Sequence, residues 1–224
     1  MKYLPLRAPI LFLIALLALE AEAATVNLLG RSIEAAIPTG YCEVGAHPAE
    51  AEIGSRTREA IGNSNQILAM FADCKELEEF RKGRRTMLDN YGQILAQTPK
   101  GQLRALKGIS RSEYIRKISG KANDFTEAIK KGETRAKQFV TGLQTVENLG
   151  LLSTDSNGLY TGVLMTMPDD TGRPRSIIGI VGMTLVKEMS ISINLYQAYR
   201  NSPDLRGLLA RQQAATATFV RVNN

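Results

Sequence analysis

His47 is the one histidine in a chain of 224 residues, and it limits the chemistry the sequence can carry. Any Ser-His-Asp or Cys-His site must use it, and a metal site can draw on one imidazole at most. It stands in Gly45-Ala46-His47-Pro48, five residues after Cys42. That setting reads as a surface loop. A hydrolase built around His47 is one functional reading, but it has no companion nucleophile once Cys42 is bridged.

Cys42 and Cys74 are the two cysteines of the chain, 32 positions apart. An even count in an exported protein reads as a disulfide. A zinc site would need more ligands than these two and His47. A dithiol redox site would need the C-x-x-C spacing, which is absent. A lone cysteine nucleophile would leave the second cysteine unexplained.

The acidic and glycine motifs are read as structural. Asp169-Asp170 lacks the regularly spaced oxygen ligands of a calcium loop, and Asp155-Ser156-Asn157-Gly158 lacks the later glutamate of an EF-hand. Both are expected to be turns. Glu76, Glu78 and Glu79 fall on a charged helix and are expected to be solvated. Gly179 and Gly182 are not followed by Gly-Lys-Ser/Thr, so they do not make a phosphate loop. In a strand they point to bulges or close backbone approach. No catalytic constellation results, and no cofactor or metal is expected.

The elements around these residues begin with a leader. Lys2 and Arg7 precede an apolar run of ten, Ile10 to Leu19, and Ala21-Glu22-Ala23 offers a small-x-small cleavage pattern. A membrane-spanning helix needs about 20 apolar residues, so 1–23 reads as a cleaved signal peptide. The expected product is a single α+β domain over 24–224, periplasmic or secreted, with no transmembrane anchor after cleavage.

The mature chain is basic, and unevenly so. The net charge is +6, with eleven basic and four acidic residues from Lys100 to Lys137. Arg116, Lys117, Lys121, Lys130, Lys131, Arg135 and Lys137 are the candidate anion-binding residues of that segment. The alternative is an ordinary solvated helix face. Arg81-Lys82-Gly83-Arg84-Arg85 forms a second cluster. In an exported protein the fitting anions are phospholipid headgroups or acidic glycans, and no nucleic-acid partner is expected. Aromatic content of 6% with no tryptophan argues against a carbohydrate-stacking platform.

Periodicity supplies the rest. Residues 26–37 read as one or two edge strands stopped at Pro38-Thr39-Gly40, and 48–61 as a helix with proline at its start and Gly62-Asn63 at its end. Gln66–Ala72 reads as a buried strand. Asp73 caps a short helix over 74–82, with Glu76 as its capping-box partner, and Tyr91–Gln97 reads as another strand. From Gln102 to about Gly142 apolar residues recur at helical spacing, so 100–148 is a candidate helical insertion. Gly158–Met167, Ser176–Val186 and Glu188–Tyr199 read as a three-strand antiparallel meander. Ser202 then caps a final helix that buries Leu205, Leu208, Leu209 and Phe219.

This order describes an antiparallel sheet with helices packed against it, including a long basic helical segment. It resembles the PsbP-like α+β fold, in which a first strand ends near an Ile-Pro-x-Gly turn, here Ile37-Pro38-Thr39-Gly40. It also resembles small uncharacterised exported proteins of Gram-negative bacteria that carry Gly-Tyr-Cys and a later Ala-Asp-Cys, here Gly40-Tyr41-Cys42 and Ala72-Asp73-Cys74. The resemblance implies a non-enzymatic accessory or assembly role in the cell envelope, with an unknown envelope protein as partner. An anionic membrane- or glycan-binding surface protein is the alternative.

Overall fold

The computed structural model describes residues 24–45, 47–121, 134, 143–169, 171–200 and 202–224. Its strands are β1 (Ala24–Leu28), β2 (Arg31–Ala35), β3 (Tyr41–Glu43), β4 (Asn65–Asp73), β5 (Asn90–Gln97), β6 (Thr145–Thr154), β7 (Leu159–Pro168), β8 (Pro174–Val186) and β9 (Met189–Ala198). Its α-helices are α1 (Ala51–Ile61), α2 (Cys74–Arg81), α3 (Arg111–Ser119) and α4 (Ser202–Val222). β1 and β2 form a hairpin of their own. The other seven strands make one antiparallel sheet in the order β3-β4-β5-β9-β8-β7-β6. The chain is therefore an α+β protein.

Alternation along the strands sends side chains to two different layers. On one face Phe71, Ile94, Ile178, Ile180, Ile191, Ile193 and Leu195 pack with Leu28 and Ile33 of the hairpin and with Leu208 and Phe219 of α4. On the other face α3 lays Tyr114 and Ile115 against Leu159, Met183 and Leu185. Farther along that second face, Leu77 of α2 and Ile53 of α1 gather around Val44, Met70 and Tyr91.

Two glycines on β8 let neighbours come down onto the sheet. A Cβ on Gly179 would stand 2.6 Å from the Tyr196 ring, and one on Gly182 would stand 2.5 Å from Gln212 Nε2. Both are close approaches and neither lies at a bulge. Gly92 on β5 is tighter still. Its Cβ would run into the Asn194 backbone carbonyl and stand 2.5 Å from the Phe71 ring. A sheet backbone cannot yield as a side chain does. Gly92→Ala is expected to cost about 1–3 kcal/mol in urea denaturation, the overpacking range. A variant as stable as wild type would show that β5 can shift away from β9.

Lys187 and Glu188 form the tight β8–β9 turn with φ of 45° and 63°. This left-handed conformation is costly for residues other than glycine. Three contacts from outside the turn hold it. Glu188 pairs with Arg31, its carbonyl accepts the Leu106 N–H at 2.8 Å, and Lys187 Nζ donates to Ser32 O at 2.7 Å.

The structure extends the sequence reading in several places. The meander gains a fourth strand, β6, whose pairing with β7 shifts register twice. Such irregular edge pairing hides the period of two in the sequence. Strand β3 is three residues long, too short to leave a pattern. Helical structure in the 102–142 stretch is seen over Arg111–Ser119, whereas residues 102–110 are non-helical and bridge to β9 through Ala105 and Met189. The remainder of that stretch from 122 on, apart from Thr134, lies outside the described residues. Asp73 caps α2 by accepting from Lys75 N and Glu76 N, at 3.0 Å and 3.1 Å.

Glu76 is neither a capping-box partner nor solvated. Its carboxylate turns to the chain entering β5 and accepts from Asp89 N, Asn90 N and Asn90 Nδ2 at 2.6–3.0 Å. Glu78 and Glu79 stay at the surface, paired with Lys82 and Arg84. The motifs around Asp155 and Asp169 are turns, as expected. Asp155 Oδ1 accepts from Asn157 N and Gly158 N, and Asp169 Oδ1 from Thr171 N and Arg173 N. No described helix is long and apolar enough to cross a membrane.

Candidate functional site

Cys42 and Cys74 are joined by a disulfide, with their Cα atoms 4.9 Å apart. The bond ties edge strand β3 to the first residue of α2. It removes both thiols from any nucleophilic role. His47 is exposed, and its Nδ1 accepts the Ala49 N–H at 3.2 Å, capping the short 3-10 turn Pro48–Glu50. The ring thus serves the turn. Among the described residues no group of three or more His, Cys, Asp or Glu side chains is placed to hold a metal ion.

The basic residues divide into two sets. Arg116, Lys117 and Lys121 are exposed on and just beyond α3, and Lys117 Nζ is paired with Glu113 at 2.9 Å. Lys130, Lys131, Arg135 and Lys137 lie outside the described residues. The Arg81–Arg85 cluster is neutralised within the fold. Arg81 pairs with Glu50, Lys82 with Glu78, Arg84 with Glu79, and Arg85 with Asp89. A run of basic residues in sequence is here a row of ion pairs.

A groove of about 600 Å³ opens on the second sheet face, between α1, the loop leading into β5, and the ends of β7 and β8. That volume lies within the roughly 300–1,000 Å³ typical of small-molecule sites. Alternation builds its floor. Tyr91 and Gln93 come from β5, Met165 and Met167 from β7, Ile177 from β8, and Tyr196 from β9. Met70 of β4, Ile53 of α1 and Met87 of the loop close the sides. These four methionines of the lining give an apolar, deformable surface that suits ligands of varied outline.

Tyr91 and Tyr196 are neighbours across β5 and β9, and their rings stack with centroids 5.0 Å apart. Burial pushes both phenols above their ordinary range, and for Tyr91 the adjacent Tyr196 adds to the effect. Both rings are therefore neutral at physiological pH and offer no base. Arg175 stands at the rim, where it pairs with Asp89 and donates to Leu88 O at 3.0 Å. Asp169 also borders the groove. Its carboxyl is held down at about 2 by the Thr171 hydroxyl, the Arg173 N–H and the Thr171 N–H. The groove thus pairs a largely apolar floor with fixed charges at its edge, and among the described residues it holds no activated nucleophile.

Apart from Asp169 at its border, none of the groove residues stands out in the sequence as a motif. The available signal was two polar residues, Gln93 and Asn194, each two positions from a tyrosine in an otherwise apolar strand, and two methionines, Met165 and Met167, spaced by two.

No protein-family model matches the sequence, and no curated protein matches it. Among solved structures the chain is similar to the Ran-binding protein Mog1p of Saccharomyces cerevisiae. The identity is 12%, the match covers 90% of this chain and 93% of that one, and the TM-score is 0.36.

Proposed function

We propose that this chain is a non-catalytic binding module of an oxidising compartment, periplasmic or secreted, and that its ligand seats in the methionine-lined groove. The groove itself carries the reading. It is a preformed apolar concavity with neutral tyrosines, paired charges at the rim and no nucleophile. The export side rests on the signal-like residues 1–23 and on the Cys42–Cys74 bridge, since disulfides persist in oxidising compartments. An accessory role in envelope assembly is the biological setting this reading favours. Among the described residues, no observation favours the anionic-surface reading or the His47 hydrolase.

The test is binding of an environment-sensitive apolar dye, anilinonaphthalene sulfonate. Wild type is expected to enhance its fluorescence. Met165→Glu places a charge in the apolar floor and is expected to weaken binding by about tenfold or more, with the circular dichroism spectrum unchanged. Equal dye binding by the two proteins would remove the groove as the site.

A further inference from the structure

Gln93 and Asn194 face each other across β5 and β9, on the same sheet face as the stacked tyrosines. Gln93 lines the groove, and Asn194, 5% exposed, is its direct cross-strand neighbour. The Tyr196 hydroxyl is close enough to both amides for each to favour its ionised form, although burial outweighs them. The two carbonyl oxygens, Gln93 Oε1 and Asn194 Oδ1, are left buried, with no hydrogen-bond partner among the described residues.

A buried acceptor without a donor costs free energy that a bound donor restores. One such oxygen, Gln93 Oε1, belongs to a side chain that lines the groove, and it selects for a particular ligand. An apolar molecule gains from the methionines alone. A molecule that also carries an O–H or N–H gains a second, directional contact. A carboxylate or phosphate brought to the same place would meet the negative end of the amide dipole. We propose that the groove recognises an uncharged amphiphile, whose chain lies on Met70, Met165 and Met167 and whose hydroxyl or amide N–H donates to Gln93 Oε1 once that amide turns toward it. This inference rests on the groove being the binding site.

The experiment compares dodecanol, dodecyl methyl ether and dodecanoate as competitors of the bound dye. The alcohol and the ether share a chain and an oxygen, and the alcohol alone is a donor. The expected result is that dodecanol competes about tenfold better than the ether with wild type, and that Gln93→Met removes this preference. The alcohol-to-ether ratio is read within one protein, so a general loss of folded protein in the variant does not imitate the effect. Equal competition by alcohol and ether overturns the donor inference and leaves the groove standing. Strongest competition by dodecanoate overturns it in favour of an anion read at Arg175. No competition by any of the three overturns the groove reading, and this inference with it.

Discussion

Replacing Cys42 and Cys74 together by serine is expected to lower the free energy of unfolding by about 3–4 kcal/mol, the chain-entropy value for a closed loop of this length. The bridge spans 32 positions and encloses the 3-10 turn at Pro48–Glu50, α1 and β4. Its place gives the loss a local signature. Strand β3 has three residues and pairs only with β4, so without the bridge the β3 edge and the start of α2 should open first. Urea denaturation of the double variant, together with amide exchange at Tyr41–Glu43, measures both effects. A loss under about 1 kcal/mol with β3 still protected would mean that packing alone secures this corner.

The second large effect is expected for Arg81→Ala, at about 3 kcal/mol. Glu50 is fully buried, and its carboxylate accepts from Arg81 Nε at 2.5 Å, Gly45 N at 2.6 Å and His47 N at 3.3 Å. Burial alone would raise its pKa, but the Arg81 hydrogen bond and the two backbone N–H groups hold it below the ordinary carboxylate value. Removing Arg81 leaves a buried charge with no counter-ion, which costs far more than the pair contributes when intact. Glu50→Gln, which keeps an acceptor for the two N–H groups, is expected to cost less.

The pH dependence gives this prediction a sign. In wild type the folded pKa of Glu50 lies below its unfolded value. The associated stability is therefore present above the unfolded pKa and lost as pH falls through the folded one. In Arg81→Ala the lowering by Arg81 is gone and burial works against the two remaining N–H bonds, so the folded pKa is expected to rise and acid to reduce the deficit. A deficit that stays constant from neutral pH down through the carboxylate range would contradict the buried-charge account. Arg81 ends α2 and Cys74 begins it, and Glu50 sits at the end of the loop that follows Cys42. The two losses are expected to be less than additive, because either change loosens the same corner.

Much of the fold was legible in local pattern. Short, largely uncharged apolar runs marked Gln66–Ala72, Tyr91–Gln97 and the last three strands, and the capping signal at Asp73 marked α2, because these depend on residues near in sequence. The pairing of the two cysteines was legible from their number in a chain that reads as exported. The single residue between the runs Ser176–Val186 and Glu188–Tyr199 leaves room only for a tight turn, although its left-handed backbone rests on Arg31, Ser32 and Leu106 from distant segments.

What only tertiary structure decided concerns partners. Glu76 belongs by spacing to a solvated helix, and the fold instead makes it the acceptor that anchors the entry to β5. Arg81 to Arg85 look like a cationic surface, and the fold supplies each cation in that run with a carboxylate. The groove is the clearest case. Its lining draws on β4, β5, β7, β8 and β9, whose order in space differs from their order in the chain. A sequence shows which side of a strand a residue occupies, since that follows from a period of two. Which strands stand beside one another depends on long-range burial, and that is what brings Tyr91 onto Tyr196 and leaves Gln93 and Asn194 facing each other at the centre of the sheet.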